Sequence, residues 1–128
     1  MVKVTDRSQT LEVLKRTREA GSVMPIFCYD VRENLEANLR AVQEFAQEYG
    51  IKNPPVGMST TYGYEAMSQV QRVFRFKPGD DVTRRREEGL IAGFDDMNLI
   101  CGKKGSTYYN VWALPHLDHA DAKDEEWV

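Results

Sequence analysis

Four consecutive residues near the end of this 128-residue chain, His116-Leu117-Asp118-His119, contain its only two histidines and a carboxylate. A neutral imidazole at His119 could ligate a metal ion, and Asp118 beside it could take a proton from a carbon or hydroxyl whose charge the metal stabilises. In a regular strand adjacent side chains point to opposite faces, so this pairing requires the chain to bend, and Pro115 offers a cause of irregularity. His116 shares the side of Asp118 in an extended chain, where it could orient that carboxylate or another loop by a hydrogen bond. Zinc takes about three protein ligands even in its open, catalytic sites, so the remaining donors would have to come from elsewhere. The plainer alternative is that Asp118 caps a helix starting near Ala120 and both histidines are satisfied loop residues; a motif this short often arises without a function.

Other polar residues fall at the ends of apolar runs. Val23 to Tyr29 is rich in strand formers and reads as a first strand buried on both faces, with Pro25 near its start. Asp30 and Glu33 form a capping-box pattern for a helix running to Tyr49, whose stripe of Leu35, Leu39, Val42, Ala46 and Tyr49 is closed by Gly50. Pro55 to Thr61 reads as a second strand that turns polar at Ser59, Thr60 and Thr61. Ser59 and Thr60 could hold a phosphate or hydroxyl, and they are equally ordinary end-of-strand residues.

The elements that must position these groups follow in order. A leading helix, capped by Ser8 or Thr10 and stopped at Gly21, places Leu11 and Leu14 inward with Val13 beside them. Glu65 to Phe76 reads as a short helix and Lys77 to Asp81 as a turn. Behind a charged turn at Thr83 to Glu88, the stripe Leu90, Phe94, Met97 and Cys101 marks a helix ended by Gly102, and Val111 to Leu114 is the third strand. Met58, Met67 and Met97 read as core filler. Strands joined through helices imply parallel pairing with right-handed crossovers, hence an α/β fold. Asp121 to Val128 begins like a further helix and stops, which reads as a chain ending in mid-repeat.

Composition narrows the classes. With 41% hydrophobic residues, 128 positions suit one domain, and 17 basic against 20 acidic residues give a net charge of −3 without a nucleic-acid footprint. Arg84-Arg85-Arg86 is followed at once by Glu87-Glu88. No apolar run approaches the roughly 20 residues that cross a bilayer, and no signal-peptide layout opens the chain, so no membrane partner and a cytoplasmic location are expected. Cys28 and Cys101 read as reduced packing residues.

The whole chain resembles the N-terminal part of the class II, zinc-dependent fructose-bisphosphate aldolase family. The resemblance is carried by the helix Ser8 to Ala20, the Gly21 to Phe27 approach to the first strand, Pro55-Val56-Gly57-Met58-Ser59, and above all Leu114-Pro115-His116-Leu117-Asp118-His119. It implies the first three βα units of a (β/α)8 barrel with an N-terminal covering helix, residues 1–128 being a single partial domain. It also implies retro-aldol cleavage of a ketose bisphosphate or related phosphorylated sugar, with Asp118 moving the proton, His119 ligating catalytic zinc, Ser59 binding substrate and His116 orienting its neighbours. Cys28 departs from the family, many of whose members carry Asn there. A barrel takes at least about 200 residues, so the expectation is a portion inactive by itself, forming a homo-oligomer or joining a complementary fragment. The alternatives are a non-catalytic interaction module completed by a partner chain, and a sugar-phosphate isomerase or epimerase on the same barrel.

Overall fold

The computed structural model describes residues 7–62 and 81–119. The element order is α1 (Arg7–Glu19), β1 (Ile26–Cys28), α2 (Arg32–Glu48), β2 (Pro55–Thr61), α3 (Val82–Met97), a π-helical turn (Asn98–Gly102) and β3 (Trp112–Asp118). The chain is a small α/β domain with a three-stranded parallel sheet in the order β1-β2-β3. The expected helix at Glu65 to Phe76, its following turn up to residue 80, Met67, and the helix beyond Ala120 lie outside the described residues.

Alternation sorts each strand into two faces. Val56 and Met58 of β2 and Ala113 of β3 join Leu35 and Leu39 of α2 and Met97, Ile100 and Cys101 in one core cluster. The opposite face carries Gly57, Ser59 and Thr61 on β2 and Leu114, His116 and Asp118 on β3. There Leu114 packs with Val13 of α1, beside Met24 and Trp112. The covering helix therefore rests near the N-terminal part of β3. Val13 is its inward residue, while Leu11 and Leu14 are exposed, the reverse of the expected order. Ser8 and Thr10 lie inside the helix and do not cap it.

Helix α2 keeps most of its expected stripe: Leu35, Leu39 and Ala46 are buried and Val42 packs against the core. Tyr49 leaves the stripe because the helix has ended, and its ring sits 4.6 Å from that of Phe45 on the surface. Gly50 follows at φ 66°, the left-handed conformation that closes a helix most cheaply with glycine. The expected capping box does not form. Val31 holds the N-cap position without a side-chain cap bond, and Asp30 Oδ1 instead accepts from Asn34 Nδ2 at 2.9 Å.

Helix α3 begins earlier than the charged run suggested. Asp81 accepts from the Arg84 amide at 3.1 Å, a genuine N-cap, so Thr83 to Glu88 are helical and their charges form i,i+3 and i,i+4 pairs. Leu90, Met97 and Cys101 are buried as their spacing required. The widened last turn exposes carbonyls that loop groups then satisfy: the Tyr108 amide donates to Ile100 O at 3.0 Å and Ser106 Oγ to Leu99 O at 2.9 Å.

Strand β1 is shorter and more open than expected. Only Ile26 to Cys28 pair, and all three are exposed. Among the described residues β1 lies at a sheet edge, and neither of its faces is covered over its length. Cys28 is consequently an exposed thiol, whereas Cys101 is buried; both are free. Gly57 matters to this edge, because a Cβ there would stand 2.8 Å from Ile26 Cγ1.

Candidate functional site

Strand β3 does not stop at Leu114. It continues through Pro115 to Asp118, in register with β2: Gly57 opposite Leu114, Met58 opposite Pro115, Ser59 opposite His116 and Thr61 opposite Asp118. The Trp112 amide donates to Pro54 O and the Tyr62 amide to Asp118 O, both at 2.9 Å. Even-numbered residues of β3 thus turn their backbone groups to β2, and odd-numbered ones turn theirs outward. Pro115 is odd. Its missing N–H falls on the outer edge, where no ladder bond to β2 is lost, so the proline does not end the strand.

Strand continuity brings two sequence-selected residues together. Ser59 Oγ lies 2.9 Å from His116 Nδ1 on the face away from α2 and α3. Ser59 is 1% exposed, whereas His116 is exposed. The β1 register adds Cys28 level with Ser59, so Cys28, Ser59 and His116 form one row across three strands. The next row toward the C-terminal ends holds Thr61 and Asp118.

His119 follows the strand at φ 55°, a left-handed conformation uncommon for a residue with a side chain. This bend brings neighbouring side chains to one side: His119 Nε2 stands 3.6 Å from Asp118 Oδ2, too long for a hydrogen bond and within ion-pair distance. Asp118 is 38% exposed and His119 58%, so both reach solvent. The expected bend is present, displaced to His119 from Pro115. His116 bonds Ser59, which spacing within one strand could not reveal; only the register of two strands shows it.

The metal expectation meets a limit. Among the described residues no group of three or more His, Cys, Asp or Glu side chains comes together to hold a metal ion. Asp118 and His119 provide two donors, short of the set that zinc requires, and the described residues alone do not fit a zinc centre.

Thr60 points to the other face. Its Oγ1 is fully buried and makes no bond of good geometry. It lies near Tyr29, whose hydroxyl donates to Gly93 O of α3 at 3.1 Å. Burial pushes the Tyr29 phenol up to about 12, an effect the nearby Thr60 hydroxyl partly offsets. Proximity without good geometry means that Thr60 loses its water and recovers little. Replacing Thr60 with valine, which keeps the shape and removes the hydroxyl, should raise the unfolding free energy by about 1 kcal/mol in urea titrations. A loss of stability would show that the Tyr29 contact compensates it fully. Thr60 is therefore a buried residue on the core face, turned away from Ser59 and His116.

A cleft of about 290 Å³ lies at the opposite end of the strands, lined among others by Gln43, Gln47, Lys52, Asn53 and Asn110. It shares no residue with the histidine edge. In open parallel sheets ligands gather at the C-terminal strand ends, which favours the edge at Ser59, His116 and Asp118. Among the described residues no helix is long and apolar enough to cross a membrane. The chain matches no protein-family model, no curated protein and no solved structure, so the aldolase resemblance rests on its motifs.

Proposed function

We propose that this chain carries the N-terminal part of a class II aldolase-like lyase site, built on the opening βα units of a barrel and acting on a ketose bisphosphate or related phosphorylated sugar. The observation that carries the reading is the strand-end arrangement: Ser59 and His116 bonded across β2 and β3, with Asp118 next on the same face. Asp118 is exposed enough to accept the proton of a substrate hydroxyl as the carbon–carbon bond breaks. His119, turned to the side of Asp118, is the residue that would approach a metal. A zinc ion, which the described residues alone do not hold, would supply Lewis-acid chemistry beside Asp118 and would need further ligands besides His119. Ser59 and His116 line the same face of the strand ends as Asp118.

Fructose 1,6-bisphosphate cleavage, followed with added zinc, tests the proposal. The 128-residue chain alone should give no turnover above the zinc blank. The product of the complete reading frame should release triose phosphates in a zinc-dependent reaction, and Asp118→Asn should slow it by about 100-fold or more. Robust turnover by the short chain would refute the incompleteness of the site. Absence of turnover by the complete product, or full activity in the Asp118 variant, would refute the lyase reading.

A further inference from the structure

We infer that His116, not Ser59, is the group that touches the ligand, and that Ser59 is a positioning residue acting through it on a hydroxyl-bearing carbon chain. The inference deepens the sugar-phosphate reading and rests on it for the ligand class. Ser59 is 1% exposed and its hydroxyl is already engaged with His116 Nδ1 at 2.9 Å. A ligand arriving from solvent meets His116 first, since the imidazole is exposed. With Nδ1 tied to β2, the ring is held in place and its Nε2 edge is the one left to meet a ligand. One hydrogen bond at Nδ1 fixes ring orientation and favours one tautomer, as partners behind working histidines commonly do.

The neighbours select the ligand. Asp118 is the next residue on the same face, about 7 Å along the strand. Its carboxylate disfavours an anion placed against the imidazole, yet accepts from hydroxyls readily. Imidazole and carboxylate at that separation suit a short polyhydroxy or hydroxyketone chain lying along β3, with one oxygen at His116 and another at Asp118. A phosphate group would belong farther from Asp118.

Because the sequence has only two histidines, the chain labelled with 15N-histidine gives a directly assignable ring spectrum. The wild-type chain should show His116 held in one tautomer, and Ser59→Ala should release it toward the mixture of a free imidazole while Ser59→Thr, which restores a hydroxyl, retains the hold. Dihydroxyacetone should move the His116 signals, with affinity about tenfold weaker in Ser59→Ala, and inorganic phosphate should leave them in place. The inference is overturned if Ser59→Ala changes neither tautomer nor affinity, if dihydroxyacetone leaves His116 unmoved, or if inorganic phosphate moves it equally. Ring spectra need no turnover, so an inactive lyase and a misassigned His116 give different results.

Discussion

Leu39→Ala should lower the unfolding free energy by about 3 kcal/mol, measured as a shift in the urea midpoint at unchanged slope. Leu39 is 0% exposed and belongs to the cluster formed by α2 with Val56, Met58 and Ala113 of the sheet. Truncation there removes buried methyl groups and leaves a cavity that a sheet-backed site cannot collapse to fill, and such changes cost roughly 2–5 kcal/mol. Small domains have only about 5–15 kcal/mol in reserve. The same substitution at Leu11, which is 54% exposed, should stay within about 0.5 kcal/mol. Equal effects at the two leucines would show that the core is not where alternation puts it.

Stability should also fall by about 2–3 kcal/mol as pH rises from 10 to 12, on account of Tyr29. The sign follows from proton counting. The unfolded phenol ionises near 10, whereas the folded one, buried and bonded to Gly93 O, holds its proton to about 12. Between those values the unfolded chain binds fewer protons, so rising pH favours unfolding. The contribution is complete below pH 10 and lost on approaching 12. Tyr29→Phe isolates the effect. The variant should lose about 1 kcal/mol at neutral pH with its hydrogen bond and show a flatter decline between pH 10 and 12. Parallel declines in the two proteins would place the alkaline sensitivity elsewhere.

Much of this architecture is legible from local pattern. The β2 limits were fixed by Pro55 and by the polar change at Ser59, and the α2 stripe by the spacing of Leu35, Leu39, Val42 and Ala46. What escaped depended on neighbours in space. The third strand is expected to stop at Leu114, with Pro115 bending the chain. Pairing with β2, its partner among the described residues, instead leaves the missing N–H on the outer edge, where no ladder bond is lost. Val23 to Tyr29 looked buried because its residues are apolar, although three residues at a sheet edge have too little cover to bury them. Asp30 and Glu33 had capping-box spacing, but Asn34 offered Asp30 a closer partner. For the site, residue types pointed to Ser59, His116, Asp118 and His119, while the bond between the first two arises from residues 57 positions apart.

Among the described residues no strand pairs with the outward side of β3, and that side bears on association. A strand aligning there would find amide donors at Ala113 and Leu117, with the proline between them giving none. Those donors are about 13 Å apart, too sparse to template an indiscriminate cross-strand stack. Among the described residues Pro115 thus thins the row of donors on the outer edge of β3, beside the histidines and without putting a charge there.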